Sequence, residues 1–92
     1  MNSDIEIQGL SELFKVLGDP TRLKILCYLF DTELCVCDLT EKMSMNQPAI
    51  SQQLKILRQA HLLKVRREGR HLYYSLVNDT VKQVIERGMC HL

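Results

Sequence analysis

The 92-residue chain lacks the features that mark several classes of protein. It has only four Gly and two Pro, and its 46% hydrophobic and 25% charged residues are ordinary for a globular domain, which excludes collagen-like and low-complexity chains. No stretch approaches the roughly 18 consecutive apolar residues of a membrane-spanning helix. The N-terminal segment carries acids where a signal peptide carries Lys or Arg. We therefore expect a cytoplasmic protein without a membrane partner.

Catalytic motifs are also missing. The sequence has no Gly-rich phosphate loop, no His-Glu-x-x-His motif and no arrangement of Ser, His and Asp that predicts nucleophilic catalysis. The length is that of one domain. We expect a single, non-enzymatic domain over residues 1–92. Because so short a chain buries only a small core, a second copy would help to stabilise it.

The net charge of +1 hides an asymmetry along the chain. Residues 1–41 contain three basic and eight acidic residues, whereas residues 42–77 contain seven basic residues and Glu68 as their one acid. The last fifteen residues are neutral. Positive charge confined to the middle segment indicates an anionic partner there, although a solvated basic surface would show the same composition.

Capping residues and apolar side chains at helical spacing predict five helices. We expect the first helix to end near Gly18 and the second near residue 30. The predicted starts are Ser3, Asp19, Val36 or Cys37, Asn46 or Gln47, and Asn78. The first and fifth helices are both amphipathic and both terminal, so we expect them to form a homodimer interface.

Residues 62–77 alternate apolar and polar side chains around Gly69, which predicts a β-hairpin. Leu63 and Val65 should face the core from its first strand. Their expected partners on the second strand are Leu72, Tyr74 and Leu76. The tip of this hairpin is strongly basic.

Three helices, a fourth polar helix and a basic hairpin predict a winged helix-turn-helix, a mainly α fold with a β-hairpin wing. In this fold the fourth helix would lie in the DNA major groove and the wing would reach the flanking backbone. The polar face of that helix has no acid, and Gln, Ser, Lys and Arg suit base edges and phosphates. A solvated polar face is the alternative. The predicted DNA-binding residues are Gln47, Ala49, Ser51, Gln52, Lys55, Arg58, Arg66, Arg67, Arg70 and His71.

The sequence resembles the ArsR/SmtB family of metal-responsive repressors over essentially its whole length. The resemblance is carried by the phrases GDPTRLKIL, ELCVCDL, QPAISQQLKILRQAHLL and EGRHLYYSL. The phrase ELCVCDL is typical of the members with a metal site on the third helix. The resemblance implies a homodimer that represses transcription and releases its operator DNA when an inducer binds. Because a dimer presents two recognition helices about one turn of DNA apart, we expect a near-palindromic operator.

Cys35 and Cys37 carry the predicted metal site. Side chains two residues apart on a helix point about 200° away from each other, so Cys35 must lie in an extended segment before the helix if both thiols bind one ion. A helix N-terminus lowers the pKa of a thiol and favours the thiolate, which prefers soft metals. We expect a soft metal or metalloid ion (zinc, cadmium, lead or arsenite) as inducer. Two semi-exposed structural cysteines are the alternative.

Two thiolates do not complete a closed tetrahedral site. Asp38 is adjacent and matches a position that is a ligand in some members of the family, and Cys90 and His91 are less certain donors. The sequence departs from the family in two respects. Thr40 stands where arsenic-sensing relatives often have a third cysteine, and residues 1–26 lack the cysteines that cadmium- or lead-sensing relatives contribute from their N-terminal arm.

Cys27 and Cys90 indicate an alternative function, a repressor that responds to oxidation or to persulfides. Cys27 occupies the second-helix position that thiol-reactive members of the family use, and their partner cysteine lies near the end of the last helix. Cys27 also lies on the apolar stripe with Leu23 and Phe30, where a buried free cysteine is a common small hydrophobe. We expect a structural role for Cys27, with a redox partner or a metal ligand as the other possibilities.

Overall fold

The computed structural model describes residues 3–92, which form five helices and a three-stranded antiparallel sheet. The helices are α1 (Asp4–Leu17), α2 (Pro20–Tyr28), α3 (Val36–Met43), α4 (Gln47–Gln59) and α5 (Asp79–Cys90). The strands are β1 (Leu34–Cys35), β2 (Leu63–Glu68) and β3 (His71–Leu76), and the order in the sheet is β1-β3-β2. The predicted mainly α fold with a hairpin wing is confirmed. Residues 1 and 2 of the predicted domain lie outside the described residues.

Side-chain caps define the N-termini of four helices. Each capping oxygen accepts a hydrogen bond from a backbone N–H in the first turn, which satisfies a donor that has no partner within the helix. Ser3 and Glu6 form the reciprocal capping box that their spacing predicts. The four capping residues are Ser3, Asp19, Asn46 and Asn78.

The core lies where α2, α3 and α4 meet the sheet, and α4 contributes one apolar face to it. Ile50, Leu54 and Leu57 are at most 1% exposed. These side chains anchor the inner face of α4, so its polar face points away from the core.

The apolar stripe predicted through Leu23, Cys27 and Phe30 is not the buried face of the second helix, because Leu23 and Phe30 are only half-buried. The buried residues of this helix are Ile25 and Leu26, followed by Leu29 at its C-cap, whereas Cys27 is exposed. Cys27 is two residues from both Ile25 and Leu29, so it lies on the opposite side of the helix from them. Cys27 is therefore not the small buried hydrophobe that the sequence predicts.

The hairpin has the expected register, and a third short strand joins it. Leu63 pairs with Leu76, and the turn contains Gly69 at φ +61°, a conformation that glycine adopts without strain. The segment expected to be extended before α3 is β1, in which Cys35 pairs with Tyr73 of β3. The start of α3 is thereby fixed to the wing.

Apolar side chains remain uncovered on the terminal elements. Leu10 and Phe14 of α1 are 45% and 53% exposed. The other exposed large apolar residues near the two ends are Ile5, Ile7, Met89 and Leu92. Apolar surface of this kind is typical of protein interfaces. Among residues 3–92 there is no helix with the length and apolar character required to cross a membrane.

Candidate nucleic-acid interface and thiol site

The outer face of α4 is a continuous polar surface. No residue of this helix is acidic, and Asn46 caps its N-terminus by accepting the N–H of Ala49 at 2.9 Å. Ala49 itself is half-buried. The exposed members of the predicted set on this helix are Gln47, Ser51, Gln52, Lys55 and Arg58. The structure therefore brings the predicted base-facing residues together on one side of a helix that the core holds in place.

An open recess lies between α4 and the sheet. Lys55 and Arg58 line it together with Ser51, Gln59 and Tyr74. Two cations beside a hydroxyl and an amide form the donor set that a phosphate oxygen accepts from. The recess extends the polar face of α4 toward the wing.

Arg66 of the wing is already paired within the protein. Its Nε donates to both carboxylate oxygens of Glu33 at 3.2 Å, and its Nη1 donates to Glu68 at 2.9 Å. The guanidinium also lies 4.9 Å from the centre of the Tyr73 ring. Hydrogen bonding to Arg66 lowers the pKa of Glu33, and the hydrogen bonds that Arg66 donates to the two carboxylates raise the pKa of Arg66. Two carboxylates thus compensate the charge of Arg66.

The remaining basic residues of the wing are differently placed. Arg67, Arg70 and His71 are exposed around the tip of the hairpin. Within residues 3–92, neither Arg67 nor Arg70 forms an ion pair. These two arginines carry uncompensated positive charge around the tip of the wing.

Cys35 and Asp38 are in direct contact at the junction of β1 and α3. Asp38 Oδ2 accepts hydrogen bonds from the backbone N–H and from the thiol of Cys35, each at 3.1 Å. Burial raises the pKa of the Cys35 thiol, and the Asp38 carboxylate adds to this effect. The bonds from Cys35 lower the pKa of Asp38. The expectation that the helix N-terminus lowers the thiol pKa is therefore wrong for Cys35, because burial outweighs it.

Cys37 lies in the first turn of α3 and is exposed, whereas Cys35 is only 8% exposed. In the described part of the chain, no three His, Cys, Asp or Glu side chains are grouped closely enough to hold a metal ion. The two thiols are the sulfur donors that soft ions prefer, and Asp38 adds a carboxylate oxygen beside them.

The other two cysteines are separate exposed thiols. Cys27 and Cys90 form no disulfide, and partial burial raises the pKa of the Cys27 thiol. Cys90 ends α5 and His91 follows it, also exposed. Neither Cys90 nor His91 belongs to a three-donor group within residues 3–92.

Contacts outside the predicted set also shape the interface. Glu33 holds Arg66, and Arg22 of α2 donates to Gln53 of α4. The sequence separations of these pairs are 33 and 31 residues, and such distances carry no periodic signal. The alternation of the wing strand does indicate that Arg66 and Arg67 face opposite sides of the sheet.

Comparison with known protein families gives a match to the central part of the chain. The family described as bacterial regulatory protein, arsR family, matches residues 19–65, from the cap of α2 into β2. The chain belongs to the ArsR family. This membership confirms the resemblance that the sequence phrases indicate. ArsR proteins are DNA-binding transcriptional regulators and not enzymes, so the expected absence of catalysis is also confirmed.

Individual ArsR relatives match most of the chain. It is 42% identical over 87 residues to the transcriptional repressor SmtB homolog of Synechocystis sp., covering 95% of this chain and 66% of that protein. It is 37% identical over 83 residues to the cadmium resistance transcriptional regulatory protein CadC homolog of Staphylococcus aureus, covering 89% of this chain and 69% of that protein.

A solved structure supports the same fold. The homodimeric winged helix-turn-helix DNA-binding domain (fragment 1–100) of a possible ArsR-family regulator from Mycobacterium bovis superposes with a TM-score of 0.86. Its sequence identity is 26%, and the match covers 98% of this chain and 86% of the other. The predicted winged helix-turn-helix is confirmed.

Proposed function

We propose that this ArsR-family protein is a homodimeric repressor that binds a near-palindromic operator and releases it when a soft metal or metalloid ion binds at Cys35 and Cys37. It acts through one DNA-binding domain over residues 1–92. The observation that carries the proposal is the exposed, acid-free face of α4 beside a wing with uncompensated arginines. This combination fits a major-groove helix with a backbone-binding wing.

The residues of the interface divide by chemistry. Gln47, Ser51 and Gln52 present the amides and hydroxyl that read base edges. Lys55 and Arg58 line the recess beside Tyr74 and bind phosphate there. The wing adds phosphate contacts from Arg67 and Arg70, with His71 beside them at the tip, and these contacts raise affinity without adding sequence information. Arg66 orients the wing through Glu33 rather than binding phosphate itself.

The dimer is proposed from the uncovered apolar side chains of α1 and of the C-terminal end. A second copy that covers Leu10, Phe14 and Met89 removes this surface from water. It also places two α4 helices where they can enter successive major grooves, roughly one helical turn apart. The homodimeric state of the Mycobacterium bovis domain supports this arrangement.

The inducer site is proposed at the junction of β1 and α3. Cys35 and Cys37 supply soft sulfur donors, and Asp38 supplies a carboxylate already within 3.1 Å of the Cys35 sulfur. Zinc, cadmium, lead and arsenite are the candidate inducers, and the likeness to the cadmium resistance regulator supports this class of ion. Cys90 or His91 of a second copy could complete the donor set.

Binding of such an ion would act on the wing through β1. Cys35 pairs with Tyr73 in the sheet, so a change at the junction reaches the strand that carries the wing. A coupling of about 1–3 kcal/mol between the two sites lowers operator affinity by roughly 5- to 150-fold.

A second candidate trigger is oxidation or persulfidation of Cys27 and Cys90. Both thiols are exposed and free, which is the state that such a switch requires. The two triggers use different cysteines, so they can be separated by substitution.

One titration tests the proposal. A duplex is first selected by the reduced wild-type protein from a random-sequence library, and its complex is titrated with zinc, cadmium, lead, arsenite and a persulfide donor. The same titrations are run on Cys35→Ser, Cys37→Ser, Cys27→Ser and Cys90→Ser proteins. We expect a soft ion to release the duplex from the wild-type protein and from Cys27→Ser, but not from Cys35→Ser or Cys37→Ser.

Other outcomes overturn specific parts of the proposal. Release that depends on Cys27 and Cys90 alone replaces the metal site with the thiol switch. If the wild-type protein selects no duplex even at low salt, the DNA-binding function itself is wrong.

A further inference from the structure

Arg22 lies where α1, α2 and α4 meet, and its guanidinium contacts the other two helices. Nε donates to the carbonyl oxygen of Val16 at 2.7 Å, and Nη2 donates to the carbonyl oxygen of Lys15 at 3.4 Å. Nη1 donates to Gln53 Oε1 at 3.3 Å. One side chain of α2 therefore bridges the end of α1 and the middle of α4.

The partners of Arg22 are unusual for a cation. No carboxylate pairs with it in residues 3–92. Its oxygen partners on α1 belong to the last turn, where the helix dipole favours a positive charge. The backbone N–H of Arg22 also donates to Asp19 at 3.0 Å, which fixes the first turn of α2. The contacts with Asp19 and with the last turn of α1 thus fix the position from which Arg22 donates to Gln53.

Gln53 lies at the boundary between the buried and the exposed face of α4. It is half-buried, between the exposed Gln52 and the buried Leu54. The core holds the inner face of α4, but apolar contacts are non-directional, so they resist a small rotation of the helix about its axis less sharply than a directional bond does. Since helix side chains reach a radius of about 5–6 Å, a rotation of ~10° moves their tips by about 1 Å. A directional hydrogen bond to Gln53 opposes such a rotation.

We infer that Arg22 is a positioning residue for DNA recognition. Through Gln53 it sets the rotation of α4 relative to α1 and so determines which base edges Ser51 and Gln52 reach. This inference rests on the proposed DNA interface. It assigns sequence discrimination partly to a pair of residues that do not themselves contact DNA.

The two residues can be changed with little change in volume. Gln53→Met keeps the length of the side chain and removes the acceptor. Arg22→Lys keeps the charge but cannot reproduce three donors in a planar fork. Gln53→Glu keeps an acceptor for Arg22. Gln83→Met is the matched control, because Gln83 is exposed on α5, a helix that packs against β3.

The test compares two duplexes of equal length and base composition, one selected by the wild-type protein from a random library and one scrambled. We expect Gln53→Met to bind the selected duplex about tenfold more weakly, the loss expected for one hydrogen bond to a charged donor. Affinity for the scrambled duplex and the slope of affinity against salt should stay near wild type, because the phosphate contacts are unchanged. Arg22→Lys should lose the same discrimination.

Two further readouts separate positioning from general stability. Gln53→Glu should retain the wild-type ratio of the two affinities, although its negative charge weakens both. Gln83→Met should match wild type on both duplexes. Melting temperature and dimer dissociation should be close to wild type for Gln53→Met.

Several results would overturn the inference. A Gln53→Met protein that discriminates between the duplexes as wild type does contradicts it, and so does an equal loss on both. If Gln53→Met does not fold, Arg22→Lys decides by the same ratio. Failure of wild type to bind either duplex is a different result, because it removes the proposed function.

Discussion

Arg66 of the wing and Glu33 before β1 form an ion pair in which Nε contacts both carboxylate oxygens. Tyr73 lies against the same guanidinium and pairs in the sheet with Cys35. The thiol junction and the wing are therefore joined twice, by side chains and by backbone. This relationship distinguishes Arg66 from the other arginines of the wing.

The salt dependence of DNA binding should separate these arginines. Arg67→Ala should reduce the slope of log affinity against log salt by about 1.8, the contribution of two phosphate contacts, one from each protomer of the proposed dimer. Arg66→Ala should leave the slope near wild type, because Glu33 and Glu68 already neutralise its charge. The measurement is fluorescence anisotropy with a labelled duplex over a range of salt concentrations. Equal slopes for Arg66→Ala and Arg67→Ala would contradict this assignment. Arg70→Ala provides a second test, because Arg70 also forms no ion pair within residues 3–92.

The Glu33 pair should contribute to acid stability. Hydrogen bonding to Arg66 lowers the pKa of Glu33 in the folded protein. The unfolded chain therefore binds the proton first, so the stabilisation is complete above the ordinary pKa of about 4.3 and is lost as pH falls through the lowered value. We expect the melting temperature of wild type to fall more steeply below about pH 4.3 than that of Glu33→Gln.

The control for this pH series is Glu41→Gln. Glu41 is an exposed residue of α3 that forms no ion pair in the described chain. Its profile should parallel that of wild type. Identical profiles for Glu33→Gln and wild type would show that the ion pair does not contribute in solution.

The two thiols of the junction should react at different rates. Cys37 is exposed, whereas Cys35 is buried and its pKa is raised by that burial. Since the thiolate is the reactive form, brief treatment with iodoacetamide near neutral pH should label Cys37 before Cys35. Peptide mass spectrometry gives the order of labelling. Faster labelling of Cys35 would mean that β1 opens readily in solution.

A charged residue on the exposed face of α1 should dissociate the proposed dimer. Phe14 is 53% exposed in one protomer, so Phe14→Glu should leave the protomer folded while moving it to the monomer in sedimentation velocity. Gln8→Glu, which adds the same charge to α1 at a polar position, should remain dimeric. Circular dichroism checks that helix content is retained. A dimeric Phe14→Glu protein would exclude this face from the interface.

The sequence predicted α4 well because its signals agree. Asn46 is a strong cap, Pro48 suits the first turn, and the apolar residues repeat at helical spacing on one face only. The outer face then follows from the inner one. This is why the residues on the exposed polar face of α4 were predictable without any long-range information.

The prediction that Cys27 is buried failed for a reason that is also local to its helix. The nine-residue α2 has a nearly even distribution of apolar residues around its axis, so periodicity does not select one face. Packing against α4 selects Ile25, Leu26 and Leu29 instead. Neighbours along the chain do not encode that choice.

The sequence pattern could not predict contacts between residues far apart in the chain, for a different reason. β1 has two residues, too few to show the alternation of a strand, and the contacts of Arg66 and Arg22 depend on which surfaces the fold brings together. The thiol motif predicted an extended Cys35, which is confirmed. Its close contact with Asp38 and the raised thiol pKa follow from burial that only the tertiary structure supplies.

The position of β1 in the sheet separates two parts of the hairpin. β1 pairs only with Tyr73 and Tyr74, toward the base of β3, whereas the tip at Gly69 has no third strand beside it. Residues inserted at the tip would lengthen the reach along DNA without displacing the cysteine junction. The same scaffold can therefore acquire a longer wing while the proposed metal site at Cys35 and Cys37 stays unchanged.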